Sequence, residues 1–311
     1  MWGYDRAVAA VRIGTCSFAD EALVKAWYPK DVRTGEARLR WYAERFDTCE
    51  IDSTYYRLPD AETVARWAER VPEGFVFHVK AFAPMTRHPV RLEVLPEELR
   101  GAVEANERGR VERMHRDVRA EVFRLFREAV EPMREAGKLG GILLQLAPYV
   151  VYRDHSLEYL EWAKAQLPEH DLLVEFRHRS WLDDEHRADT LSFLEQRGLS
   201  LVVVDAPRTE AKNVIPTVVA TTSATAYVRF HGRNAKTWNK RGGSAAERFD
   251  YLYEPEELAE WVEPMRELAG QAQQVYALMN TNSTSDGAAQ GPENARRLAQ
   301  VLRSAGVEAT G

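Results

Sequence analysis

The residues best suited to chemistry gather in one stretch, Ala226-Tyr227-Val228-Arg229-Phe230-His231-Gly232-Arg233-Asn234. It reads as a buried strand running into a polar, glycine-containing loop. Strand side chains alternate, so Tyr227, Arg229, His231 and Arg233 share one side. Arg229 and His231 then lie about 7 Å apart along it. Arginine offers a planar fork of donors to a phosphate or carboxylate. A histidine beside such an anion has its protonated form favoured and can act as a general acid near neutral pH. The stretch therefore predicts a site for an anionic or polar ligand. The competing reading is a plug, with both side chains pairing with Glu175 or Asp205.

Other polar residues end other apolar runs: Asp52, Lys80, Gln145, Glu175, Arg177, Asp205 and Asn280. Burying charges costs several kcal/mol each unless they are paired or wetted, so the cluster points to a site. Lys80 suits a Schiff-base amine or a phosphate contact, or simply a pair with Glu50 or Asp52. Glu175, Asp205 and His231 fall on three successive strands. They suit a metal-free acid–base pair, with a divalent metal left open. No HxH or HExxH occurs, and no cofactor is expected. Cys16 near the first strand end reads as a buried, inert thiol.

The loop after Arg229 carries Arg233, Lys236, Lys240 and Arg241 with no acid before Ser244, and Trp238 lies within it. Cations with an aromatic suit a phosphate-bearing ligand with a stackable ring. The loop reads either as a lid, with Arg241-Gly242-Gly243-Ser244 as its flexible end, or as a solvated charged loop. The expected catalytic residues are His231, Glu175, Asp205 and Lys80. The expected ligand contacts are Asp52, Gln145, Arg177, Arg229, Arg233, Asn234, Trp238 and Asn280.

Eight short apolar runs must position these groups: Val11–Ser17, Thr48–Thr54, Phe75–Phe82, Gly141–Leu146, Leu172–Arg177, Ser200–Ala206, Thr225–Gly232 and Gln274–Asn280. Helical periodicity separates most of them. Leu39, Tyr42, Ala43 and Phe46 recur at helix spacing, as do Val64, Trp67, Ala68 and Val71. A long helix carries Val122, Phe126, Ala129 and Met133 on one face. Further helices are expected over Leu157–Leu167 and Asp184–Arg197, from Pro255 with a kink at Pro264, and from Pro292. Pro207–Ala224, rich in Thr and Val, is a poor helix. Strands alternating with helices, and strands apolar on both faces, argue for a parallel sheet. Eight of them predict an α/β chain folded as a TIM-type (β/α)₈ barrel. Its sixth helix is irregular or missing, and a charged helical insertion, Arg87–Arg116, follows the third strand. The 311 residues are expected to form one domain.

The chain is 45% hydrophobic and 29% charged, with net charge −6. That balance argues against a surface coated in basic groups for non-specific nucleic-acid binding. Two cysteines without a CxxC suit a reducing, cytoplasmic setting. No signal peptide and no membrane span are expected.

The motifs Trp27-Tyr28-Pro29, Phe46–Arg57 (FDTCEIDSTYYR), Phe77-His78-Val79-Lys80-Ala81, Leu144-Gln145-Leu146, Val174–Trp181 (VEFRHRSW), Tyr227–Asn234, Trp238 and Tyr251-Leu252-Tyr253 occur in this order. Together they resemble the domain of unknown function 72, or YecE-like, family over most of the chain. The resemblance implies a TIM-type barrel and supplies no settled activity. Likeness to the apurinic endonuclease and sugar isomerase group implies a nucleic-acid or phosphosugar ligand. This chain departs from the family pattern at Thr15-Cys16-Ser17-Phe18, at Asp52, where Asn is usual, and at Met279-Asn280-Thr281. The expected function is binding of a small phosphate-bearing ligand, a sugar phosphate or nucleotide, with acid–base chemistry by His231 and a carboxylate. The alternatives are a nucleic-acid-binding protein and a metal-dependent endonuclease- or isomerase-like barrel.

Overall fold

The computed structural model describes residues 8–240 and 245–311. Eight parallel strands close on themselves: β1 (Val11–Thr15), β2 (Thr48–Ile51), β3 (Val76–Lys80), β4 (Leu139–Gln145), β5 (Leu172–Glu175), β6 (Ser200–Asp205), β7 (Thr225–Phe230) and β8 (Gln274–Met279). Each strand pairs with the next in sequence. Closure comes from β8 returning to β1, with Val275 beside Val11 and Met279 beside Thr15. The chain thus forms the expected (β/α)₈ barrel. Its strands are Val/Ile/Leu-rich because helices cover their outer face while side chains fill the interior.

The covering helices are α1 (Gly35–Ala43), α2 (Ala61–Glu69), α3 (Arg116–Glu135), α4 (Asp154–Gln166), α5 (Arg187–Gln196), α6 (Val262–Gln271) and α7 (Gln290–Ser304). Side-chain caps start two of them. Thr34 accepts from the Ala37 amide at 3.1 Å and Asp60 from the Thr63 amide at 2.8 Å, satisfying donors that have no intrahelical acceptor. Between β6 and β7 there is no helix, as expected. Threonine hydroxyls tie this segment to the barrel instead. Thr222 Oγ1 accepts from the Leu201 amide at 2.8 Å and donates to the Leu199 carbonyl at 2.7 Å.

Three expectations change in detail. The insertion after β3 is not mainly helical: Val90–Arg91 and Arg110–Val111 pair antiparallel around a one-turn helix, Glu97–Arg100. Two-residue strands leave no periodic signal in sequence. The helix expected from Asp184 begins at Arg187, because Asp183 Oδ1 holds the His186 amide in a turn at 3.0 Å. The helix from Pro255 stops at Ala259, and α6 restarts at Val262. Pro264 therefore lies in a first turn, where its missing N–H costs nothing.

Among the described residues, no helix is long and apolar enough to cross a membrane. A short final strand, Ala309–Thr310, lies beside the start of β1. β1 meets β2 only through Thr15 and Cys49. That junction is crowded: a Cβ on Gly14 would sit 2.3 Å from the Thr48 carbonyl oxygen. Gly14→Ala is accordingly expected to destabilise the barrel by about 3 kcal/mol, read from the midpoint of a urea melt.

Candidate functional site

Side-chain parity sorts the polar residues into two groups. In β7, Tyr227 and Arg229 face the barrel interior. Phe230 faces outward, with its ring 4.9 Å from Trp261 and 5.7 Å from Tyr253. The register sets Val204 beside Arg229 and Asp205 beside Phe230. Asp205 therefore belongs to the outer face, away from the other strand-end groups.

The interior is built in layers. Lowest lies His78, whose ring meets Tyr227 at 4.7 Å and Tyr276 at 4.3 Å. Neither of its nitrogens has a hydrogen-bond partner, and burial lowers its pKa to about 3. Above it, Arg229 spans the barrel. Its Nη1 donates to Glu175 Oε2 at 2.5 Å and its Nη2 to Glu50 Oε1 at 2.7 Å. All three side chains are at most 1% exposed. Tyr227 donates to Glu50 Oε2 at 2.9 Å. Glu175 Oε1 accepts from Gln145 at 2.8 Å, His231 Nε2 at 3.0 Å and Arg177 at 3.4 Å. Burial pushes the Glu175 carboxyl up, but Arg229 and His231 overcome it and hold it well below the usual range.

His231 is fully buried. Asn280 Oδ1 accepts from Arg229 at 3.4 Å, and its Nδ2 lies 2.8 Å from His231 Nδ1. An amide nitrogen only donates, so Nδ1 accepts and Nε2 carries the proton. Burial lowers the His231 pKa to about 4, against the protonated imidazole that a neighbouring anion would favour.

Toward the mouth lie Asp52, Lys80 and Arg177. The Lys80 ammonium makes no hydrogen bond or ion pair among the described residues; its Nζ sits 4.5 Å from the centre of the Tyr55 ring. Burial, then Arg229, lowers its pKa. Burial raises the Asp52 carboxyl to about 6, against the pull of Lys80. The Arg177 guanidinium lies 5.6 Å from the Trp238 ring centre.

Asp205 anchors a separate network. Arg233 grips it through Nε and Nη2 at 2.9–3.1 Å, and Tyr253 donates to its Oδ2. Arg233 also meets Glu260 at 3.1 Å. Trp238 is buried, beside His231 and Phe249 at 6.2 and 5.9 Å between ring centres. Asn234 Nδ2 donates to the Asp250 carbonyl at 3.3 Å and Lys240 pairs with Glu247 at 2.7 Å. The stretch Arg241–Ser244, read as the loop's flexible end, lies outside the described residues.

The structure thus joins Glu175, His231, Arg229, Gln145, Arg177 and Asn280, and sets Lys80 and Asp52 above them. It separates Asp205 and Arg233 from this group. Glu50 had entered the sequence reading only as a partner for Lys80; sharing Asp52's parity was the available signal for its inward position. Among the described residues, no three His, Cys, Asp or Glu side chains converge as metal donors.

Comparison with known proteins agrees with this architecture. The family model described as "Protein of unknown function DUF72" matches residues 12–310. The protein belongs to the DUF72 family. Bacillus subtilis UPF0759 protein YunF is 30% identical to it over 94% of both chains. Escherichia coli UPF0759 protein YecE is 27% identical over 68% of this chain and 74% of its own. Crystal structures of DUF72 family proteins from Enterococcus faecalis and Thermotoga maritima superpose with TM-scores of 0.75 and 0.73. Their identities are 26% and 28%, with 94% of this chain covered in each case and 95% and 99% of theirs.

Removing the arginine from this DUF72 barrel would leave two carboxylates buried without their main partner. Arg229→Ala is expected to lower stability by about 3–5 kcal/mol. A denaturant melt checks it, and an unchanged midpoint would show that the bridge contributes nothing.

Proposed function

We propose that this DUF72 protein binds a small phosphate-bearing ligand, a sugar phosphate or a nucleotide, at the carboxyl-end mouth of the barrel. The observation that carries this reading is the unpaired ammonium of Lys80. Around it, Arg229, Lys80 and Arg177 supply three positive charges. Glu50 and Glu175 supply two negative ones, and Arg229 already engages both. Arg177 has only a 3.4 Å contact to an oxygen that already takes Gln145 and His231. Below about pH 6, where Asp52 is protonated, the cluster holds one cation in excess. An incoming phosphate would match that charge and receive donors from Lys80 and Arg177.

On this reading the same residues also take part in acid–base chemistry. Asp52, with its carboxyl near 6, is the mouth group best placed to exchange a proton close to neutral pH. Glu175, His231, Asn280 and Gln145 act as positioning residues that fix Arg229 and Arg177. Trp238, buried against Phe249, positions Arg177 and does not offer an open stacking face.

Calorimetric titration with a hexose monophosphate tests the reading. Lys80→Met is expected to weaken binding about tenfold or more, and equal affinity in the variant would refute it. Sulfate gives the pH test, because its charge is constant across the range. An anion favours protonated Asp52, so affinity is full below pH 6 and falls as pH rises through about 6. His88 and His231 titrate near 4, below this window. Asp52→Asn is expected to remove the fall.

A further inference from the structure

The long insertion after β3 builds a cavity that the mouth cluster does not use. Arg87, Arg113 and Arg119 line it, together with His88 and Glu112. None of the three arginines has an ion-pair partner among the described residues. Glu112 is turned to another task, accepting from Asn106 Nδ2 at 2.8 Å. Two of the guanidinium groups share one aromatic ring: Arg87 lies 5.3 Å and Arg119 5.6 Å from the centre of Tyr159. Elsewhere on this chain neighbouring arginines are matched with glutamates, as in Arg124 with Glu128 and Arg297 with Glu293. Here three arginines share the cavity with one carboxylate, Glu112, which pairs with none of them, and Arg119 Nε is buried without a hydrogen-bond partner.

The backbone is committed to this arrangement. Arg87 is one of two non-glycine residues among those described with positive φ, at 66°. A residue with a Cβ rarely holds such a conformation unless its surroundings enforce it. The enforcing contacts are visible: the His88 amide donates to the Ala83 carbonyl at 3.1 Å, and the Tyr149 hydroxyl donates to the Arg87 carbonyl. The left-handed residue is the one that turns its side chain onto Tyr159.

The cavity adjoins the mouth. His88 lines it and also meets the Tyr55 ring at 5.2 Å, the same ring that lies 4.5 Å from Lys80 Nζ. Two rings therefore separate the unpaired ammonium from the arginine cavity.

We propose that Arg87, Arg113 and Arg119 form a second anion subsite, so that the ligand of this protein is a small molecule carrying two phosphate groups. This rests on the mouth reading for one of the two groups; the arginine cavity takes the other. Guanidinium forks suit the doubly charged end of a phosphate monoester.

The test compares a hexose bisphosphate with the matching hexose monophosphate by calorimetry. Wild type, Lys80→Met, the double variant Arg87→Met/Arg119→Met, and Arg113→Glu are titrated after thermal melts. Arg113 is exposed, so its variant keeps the test open if the double variant fails to fold. Wild type is expected to bind the bisphosphate about tenfold tighter than the monophosphate. Both arginine variants are expected to lose that advantage while keeping monophosphate affinity, and Lys80→Met weakens both ligands. Equal bisphosphate affinity in wild type and the arginine variants overturns the subsite and leaves the mouth reading standing. Loss in the arginine variants with none in Lys80→Met keeps the subsite and overturns the mouth reading. Binding of neither ester by wild type overturns both.

Discussion

A guanidinium held between two carboxylates in the middle of the barrel is the constraint on which the rest of the structure depends. Arg229 reaches Glu175 and Glu50, and all three are shut away from water. Charges so placed must be paired almost completely, because each carries a desolvation cost of several kcal/mol. That demand explains the surrounding chemistry. Tyr227, Gln145, His231 and Asn280 supply further hydrogen bonds, and only Arg229 Nε is left without a partner in this triad. Each is locked by its duty to the central pair.

Buried ion pairs are a poor route to stability, since apolar side chains of similar volume often do as well or better. The bridge is better understood through the field it sets above itself. Arg229 contributes to lowering the Lys80 pKa. Its demand on both Glu50 and Glu175 leaves Lys80 without an ion pair among the described residues. Asp52, desolvated nearby, holds its proton to about pH 6. Above the closed lower layer, the charge balance of the mouth is therefore set by the protonation of Asp52.

A second polar network works on the outer face. Asp205 takes Arg233 and Tyr253, and the Tyr253 hydroxyl also accepts from the Gly232 amide at 2.9 Å. Gly232 turns the chain there with φ of 79°, and any Cβ would fall 2.5 Å from Tyr251 Cβ. Only glycine fits that turn. Through it the loop after β7 is fastened to the strand end, and Trp238 is carried into the barrel mouth against Arg177.

Much of this was legible in the sequence. Apolar runs alternating with helical periodicity specify eight barrel strands, and the Thr/Val-rich Pro207–Ala224 specifies the missing helix. Alternation along β7 puts Tyr227, Arg229 and His231 on one face, because side-chain parity is a local property. Tertiary structure alone decided what those side chains meet. Glu50 lies 179 residues from Arg229 in sequence and becomes its partner only when the barrel closes. Asp205 sits at a strand end like Glu175, yet the register with β7 turns it outward. Whether a polar side chain inside a barrel is a plug or a site depends on which cations find partners across it. That count is a property of closure and register, which no local pattern contains.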